Sequence, residues 1–265
     1  IADTLAVIAD GGFAAAGAPT FTEAWLTSLS YTLQLYFDFS GYTDMAIGVA
    51  LFFNIDIPAN FNSPYKSLSI QEFWRRWHIT LSRFLRDYIY IPLGGNRRSD
   101  IRTLTNLMVT FLIGGLWHGA AWTFVFWGFL HGAALCIQRL WSKTGISLPK
   151  ALAWFLTFNF INAAWVFFRA QSFDDALRIL KGMAGFNGIM VSPNLAESAF
   201  WQKLTAFGIR FGDWHANLPT VESWKYFFCL ALIPFVLLAR NSNDLLAAFE
   251  GGKKSAWVVS LLLIA

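Results

Sequence analysis

Charged side chains are scarce in this sequence. Asp, Glu, Lys and Arg make up 14% of the 265 residues and hydrophobic residues 56%, whereas a soluble domain carries about 25% charged residues. This imbalance excludes an ordinary soluble domain and indicates a membrane protein. The net charge of +4 would also suit a nucleic-acid binder, but the basic residues flank apolar runs, which membrane topology explains better. We therefore expect a lipid bilayer, and no nucleic acid, among the partners.

Cysteine is also rare, with only Cys136 and Cys229. Each lies in an apolar segment, where a small buried side chain is the usual explanation, so we infer neither a disulfide nor a cysteine metal site. The sequence contains no Walker motif, no Gly-x-Ser-x-Gly motif and no histidine pair four residues apart. Covalent serine or cysteine catalysis therefore has no support, and no metal ligand is predicted.

Apolar runs predict several membrane-spanning helices, because a span needs about 20 mainly apolar residues. The predicted spans are 30–55, 103–138, 151–168, 226–239 and a run that begins at residue 257. The run 103–138 would be about 54 Å long as one helix, against a hydrocarbon core of about 30 Å. Gly114, Gly115 and Gly119 favour a break or a helical hairpin near its centre.

Other segments predict loops and short helices. Residues 1–20 are rich in Gly and Ala and are interpreted as a loop, with helix expected from about Thr22. Residues 54–65 contain two prolines and three asparagines, which predicts a loop. Ser172 and Asp175 form a capping pattern that predicts a helix over 173–183, and 182–223 is interpreted as an extramembrane loop.

The segment from Ile70 to Ile89 predicts one amphipathic helix lying in the membrane interface. Its apolar face would comprise Ile70, Phe73, Trp74, Trp77, Leu81, Phe84, Leu85 and Tyr88, and its polar face Glu72, Arg75, Arg76, Arg83, Arg86 and Asp87. Residues 66–102 carry eight Lys or Arg against three acidic residues, which places this region on the cytoplasmic side.

His118 is the main candidate for chemistry. It lies in LWHGAAWTF, within the uncharged run, where burial favours a neutral imidazole that can accept the proton of an alcohol. The alternative is a core histidine bonded to a neighbouring helix. His131 falls on a different helix face and could instead ligate a haem, but no facing axial ligand is evident. His78 is, by position alone, an interfacial side chain or a second active-site group.

Two carboxylates within the first predicted span also require an explanation. Asp38 and Asp44 lie in YFDFSGYTDMA, where a charge costs about 2.5 to 3.5 kcal/mol at the centre of a span. We expect them to pair with hydroxyl groups or to line a polar channel.

Five blocks in order resemble the membrane-bound O-acyltransferase (MBOAT) family, in particular its bacterial alginate O-acetyltransferase branch. They are YFDFSGYTDMAIG, NFNSPY, FWRRWHITLSRFLRDYIYIPLGGNR, GGLWHGAAWTFVFWGFLHG and WVFFRAQSFDDAL, between about Tyr36 and Leu177. The resemblance implies an all-α, polytopic helical bundle with a central tunnel, broken or re-entrant helices and interfacial amphipathic helices. It also implies that the histidine of the WHG block, His118, is catalytic, and that His78 of the RRWH block is a second active-site residue.

The function that the resemblance implies is O-acyl transfer at a bacterial inner membrane. The acyl group, acetyl by preference, would pass from a thioester co-substrate such as acetyl-CoA to a hydroxyl of an exopolysaccharide or a partner protein, with a periplasmic acetyl-transfer partner and no bound cofactor. His118 would be the general base, and an oxyanion donor could be the Trp117 indole, His78 or a backbone amide. The residues predicted to contact substrates are Asp38, Asp44, Arg76, Trp77 and Trp117.

Two other classes of function remain open at this point. A transporter would use the intramembrane His and Asp residues as a substrate or proton path, and a scaffold subunit would only guide an acyl chain or glycan to a partner enzyme. Residues 1–265 are expected to form a single membrane-embedded MBOAT domain. Because the sequence starts at Ile1 and stops inside an apolar run, we expect that domain to be truncated at both ends.

Overall fold

The computed structural model describes residues 1–219 and 221–248, and these residues are mostly α-helical. The helices are α1 Ala2–Ala14, α2 Phe21–Phe52, α3 Ile70–Arg76, α4 Ile79–Leu85, α5 Asp100–His118, α6 Trp122–Ser142, α7 Lys150–Arg169, α8 Phe173–Met183, α9 Ala199–Lys203, α10 Ser223–Leu238 and α11 Ser242–Ala247. Short 3-10 turns cover Pro64–Lys66, Pro193–Leu195 and Leu204–Phe207, and a π-helical turn covers Arg86–Tyr90. The span predicted to begin at residue 257 lies outside the described residues.

A small sheet departs from the predicted all-α class. Strands β1, Ile189–Val191, and β2, Ile209–Phe211, pair in parallel, with Ile189 opposite Ile209. Both lie in the segment that was predicted to be a loop. Each has three residues, which is too short to show the alternating pattern by which a strand is recognised in a sequence.

The N-terminal segment is helix α1, so its interpretation as a loop is wrong. Leu5 and Ile8 are fully buried, and the helix packs along α2 at Gly12. A Cβ atom at Gly12 would lie 2.0 Å from Thr27 Oγ1, so only glycine allows this approach. Gly12, one of the glycines that made the segment resemble a loop, therefore allows the two helices to pack closely.

Among the described residues, α7 meets the length and composition of a membrane span. Helix α10 is also apolar but has only 16 residues. Helix α2 has 32 residues, which makes it about 48 Å long. The runs 151–168 and 226–239 were thus correctly predicted as apolar helices, whereas the polytopic arrangement stays a prediction.

The hydrophobic core lies where α2, α3, α6 and α7 meet. Two buried hydroxyl groups within it share one acceptor: Ser28 Oγ and Thr32 Oγ1 on α2 donate to Asn162 Oδ1 on α7, at 2.9 and 2.6 Å. Since an unpaired buried donor is costly, these bonds fix the rotation of α2 against α7. They also orient the side of α7 that faces the candidate site.

Helices α5 and α6 form the predicted hairpin, with its break at Gly119–Ala121. The two helices approach closely at Gly115 and Gly128. A Cβ at Gly115 would lie 2.4 Å from the carbonyl oxygen of Phe124, and one at Gly128 would lie 2.3 Å from that of Phe111. The backbones therefore pack directly against each other, which sets the position of the last turn of α5.

Candidate functional site

His118 is the last residue of α5. The chain turns immediately afterwards, and a Cβ at Gly119 would lie 2.7 Å from Cε2 of Phe124, so a larger residue there would displace the Phe124 ring. The imidazole packs edge-on against Trp127 of α6 and Phe168 of α7, with ring centroids 5.2 and 5.0 Å away. The hairpin thus holds His118 at a helix end, half-buried among aromatic rings.

His78 lies at a break between α3 and α4, where a single helix over 70–89 was predicted. Its φ of 41° and ψ of 57° are left-handed, a conformation that costs a non-glycine residue about 1 to 3 kcal/mol and persists only where the surroundings enforce it. The preceding loop does so, because the amide of Ile79 donates to the Asn60 carbonyl at 3.0 Å and that of Asn62 to the Arg76 carbonyl at 2.9 Å. The prediction of one continuous helix is therefore wrong at this residue.

The two histidines approach each other from different parts of the chain. Trp117, which precedes His118 in the last turn of α5, connects them. His78 and Trp117 line a cavity of about 480 Å³, and the Trp117 ring lies 4.9 Å from that of His118. The structure therefore brings His78 close to Trp117 and His118, although His78 and His118 are 40 residues apart in the sequence.

The electrostatic state of His78 follows from its surroundings. Phe39 of α2 packs edge-on against the ring at 4.8 Å, and burial lowers the pKa of His78 to about 4. The imidazole is therefore neutral at pH 7 and can act as a hydrogen-bond acceptor.

The other predicted substrate contacts lie elsewhere. Trp77 is only 4% exposed and packs against Trp165 and Phe61, each at 5.0 Å. It therefore packs in the core and not in the wall of the cavity, and its assignment as a substrate contact stays a prediction. Arg76 pairs with Glu72 at 2.8 Å, so it stabilises α3 rather than facing the cavity.

Asp38 and Asp44 do not reach the histidines either. Both are exposed on the C-terminal half of α2, and Asp44 accepts a hydrogen bond from Ser242 at 3.1 Å. Pairing with a hydroxyl was one of the two roles considered for these carboxylates, and Asp44 shows it.

A second, basic cleft of about 650 Å³ lies beside the cavity. Four arginines line it: Arg75, Arg83, Arg86 and Arg139. The Nε atom of Arg139 is buried without a hydrogen-bond partner among the described residues, and its Nη2 atom is 3.8 Å from Asp100. Leu85 borders both the cleft and the cavity. The polar face of 70–89 predicted three of these arginines, but nothing in the local pattern indicated Arg139.

His131 is fully buried in the core. Its Nδ1 accepts from Trp74 Nε1 at 3.2 Å, so the proton of the neutral ring is on Nε2, which has no partner among the described residues. Among the residues that the structure describes, no group of three or more His, Cys, Asp and Glu side chains is arranged to hold a metal ion. The residues around His131 are aromatic, and Trp127 lies between it and His118.

This combination of an aromatic-walled histidine pair with a basic cleft, on a largely helical and apolar chain, is that of a membrane-associated enzyme. The model of the membrane-bound O-acyltransferase family, MBOAT, matches residues 18–173. This range includes His78 and His118. The chain belongs to this family, and the predicted membership in a family of acyltransferases is confirmed.

Individual relatives are similar over much of the chain. The peptidoglycan O-acetyltransferase of Helicobacter pylori is 62% identical over 252 residues, 92% of this chain and 46% of that protein. The protein of Azotobacter vinelandii named "Probable alginate O-acetylase AlgI" is 52% identical over 187 residues, 70% of this chain and 37% of that protein. A teichoic acid D-alanyltransferase of Streptococcus thermophilus is 32% identical over 166 residues, 52% of this chain and 39% of that protein. The chain thus spans less than half the length of these relatives.

Proposed function

We propose that the protein containing this chain transfers an acyl group, acetyl in particular, from a thioester such as acetyl-CoA to a hydroxyl of an exopolysaccharide or a partner protein. The observation that carries this proposal is that His78 lines a cavity together with Trp117, whose ring packs against that of His118. Acyl transfer is common to the names of the relatives, two of which specify O-acetyl groups and one D-alanyl groups. Family membership therefore favours acyl transfer over the transporter and scaffold alternatives.

His118 acts as the general base in this proposal. Its imidazole takes the proton of the acceptor hydroxyl as that oxygen attacks the thioester carbonyl, and the new C–O bond gives a tetrahedral oxyanion. The intermediate collapses with cleavage of the C–S bond, and the imidazolium returns its proton to the thiolate. The rings of Trp127 and Phe168 against His118 would exclude water, which would otherwise compete as the acceptor.

The basic cleft is the proposed site for the phosphates of the donor. Arginine is suited to phosphate because its guanidinium group makes paired, charge-assisted hydrogen bonds. Leu85 separates the cleft from the cavity by one side chain, so a donor held by its phosphates could extend its thioester towards His118. A multi-pass arrangement in the inner membrane, with this cleft on the cytoplasmic side and a periplasmic acetyl-transfer partner on the other, completes the proposal.

A histidine substitution tests the base directly. The full-length protein in lipid nanodiscs would be supplied with labelled acetyl-CoA and a polysaccharide acceptor, and His118→Ala should lower the transfer rate by about 10²- to 10⁴-fold, the usual contribution of a general base. His215→Ala is the matched control, since His215 pairs with Asp213 at 2.6 Å on an exposed loop and should leave transfer unchanged. Transfer retained by the His118 variant would refute the proposal.

A further inference from the structure

One oxygen atom, Oδ1 of Asn60, meets three polar groups at the break between α3 and α4. It accepts from the backbone amide of Thr80 at 3.1 Å and from the Thr80 hydroxyl at 2.7 Å. The third group is Nδ1 of His78, at 3.3 Å. Asn60 is thus the only side chain bonded to the His78 ring among the described residues.

These contacts determine where the proton of the imidazole lies. A backbone amide can only donate, so the Asn60 atom that faces Thr80 must be the amide oxygen rather than the nitrogen. An oxygen of this kind can only accept, so His78 Nδ1 must carry a hydrogen to bond to it. Since a neutral imidazole has a single N–H, Nε2 is left with a free lone pair.

The free nitrogen belongs to a ring that faces open space. His78 lines the cavity of about 480 Å³ together with Trp117, and Nε2 makes no hydrogen bond to any described residue. A nitrogen with a lone pair can receive only a donor group, such as an O–H. It cannot stabilise an oxyanion, which needs a donor.

We propose that Asn60 is a positioning residue that holds His78 in the Nδ1–H form, so that Nε2 accepts a hydrogen bond from the acceptor hydroxyl. The inference rests on the proposed function and refines it, because it assigns His78 to the nucleophile rather than to the oxyanion. The acceptor hydroxyl is then held by His78 and deprotonated by His118.

The surroundings of His78 leave its charge state sensitive to position 60. Phe39 from α2 is apolar, and Leu81 and Trp117 from α4 and α5 carry no charge. On the α5 side the titratable group is His118, which packs against Trp117. A carboxylate at position 60 would keep an acceptor oxygen for Thr80 but would favour a protonated, positively charged His78. An opposite charge at this distance raises a pKa by about 1 to 3 units.

The first test measures the tautomer and requires no activity. The full-length protein would be labelled with ¹⁵N-histidine, and the signals of His78 identified by their loss in His78→Gln. We expect a protonated Nδ1 and an unprotonated Nε2 in the parent protein, with the preference reduced in Asn60→Ala. A protonated Nε2 in the parent protein would overturn the proposal.

The second test uses the pH profile of transfer. Asn60→Asp should move the acidic limb of the profile to higher pH by about 1 unit or more, because His78 then becomes protonated at a higher pH and loses its free lone pair. Asn62→Asp is the matched control: it adds the same charge two residues away, where the side chain accepts from Asn241 and has no bond to His78. An unchanged profile for Asn60→Asp, or an equal shift in both variants, would refute the positioning role.

The two tests separate this inference from the proposed function. If the full-length protein transfers no acyl group, the proposed function fails, whereas the ¹⁵N signals still decide the tautomer. If transfer occurs and the tautomer is reversed, the inference alone fails.

Discussion

Gly128 is the position at which one methyl group should most disturb the candidate site. In Gly128→Ala the new Cβ would lie 2.3 Å from the Phe111 carbonyl oxygen and 3.2 Å from the Gly115 Cα. Both are backbone atoms, so the conflict can be relieved only by moving α5 and α6 apart. His118 ends α5 and Trp127 precedes the substitution, so their ring contact would change with it.

The matched control lies one turn further along the same helix. In Gly132→Ala the Cβ meets Sδ of Met108 at 3.0 Å and the Met108 Cα at 3.3 Å, so most of the conflict is with a flexible side chain. Both variants gain the same helix propensity, about 1 kcal/mol. Because overpacking costs about 1 to 3 kcal/mol where the structure cannot adjust, Gly128→Ala should be the less stable of the two by about 1 to 2 kcal/mol.

Thermal unfolding of the full-length variants in nanodiscs, with transfer measured well below each Tm, checks this prediction. We expect a lower Tm for Gly128→Ala than for Gly132→Ala, and a reduced transfer rate while the protein is still folded. Equal melting temperatures would mean that the helices are not in backbone contact, and the account of how His118 is positioned would then be wrong.

Two further predictions concern charge and helix capping. Asp100 partly neutralises Arg139 in the basic cleft and accepts a hydrogen bond from Lys143. Asp100→Asn should therefore lower the KM for acetyl-CoA, and Arg139→Gln should raise it. Changes of the same sign in the two variants would argue against a phosphate site. Ser172 Oγ accepts from the amide of the third residue of α8 at 3.1 Å, so Ser172→Ala should destabilise that helix by about 0.5 to 2 kcal/mol, seen as faster amide exchange in its first turn. Ser198→Ala is its control, because Ser198 precedes α9 in the same way but its side chain caps no amide of that helix; equal effects in the two helices would contradict the capping role.

Local signals in the sequence predicted part of this fold well. The capping pattern at Ser172 gave α8 with its observed bounds, Phe173–Met183, because a cap acts within one turn. The glycines near residue 119 located the α5–α6 turn for a similar reason. In each case the residues that determine the structure are adjacent in the chain, so that the pattern can be recognised without any knowledge of tertiary contacts.

The site was less predictable because distant residues build it. The break at His78 depends on Asn60, which lies 18 positions earlier and bonds to both sides of the turn, so periodicity alone favoured one helix. That periodicity placed Trp77 correctly on an apolar face but could not show that this face is closed by Trp165 from α7. The pairing of His78 with His118 followed only from the family resemblance, since position alone suggested an interfacial side chain for His78.

The glycine contact between α5 and α6 also restricts how molecules can arrive at His118. Even a single methyl group added at Gly115 would collide with the backbone of Phe124 and Gly128. At that level, therefore, no gap remains between these helices for an acyl chain, a sugar or a water molecule. Passage between α5 and α6 is therefore closed at that level. The cavity on the α4 side differs, because its wall is formed by side chains that can change rotamer, such as Phe84 and Trp117, and we expect the substrates of the proposed reaction to enter there.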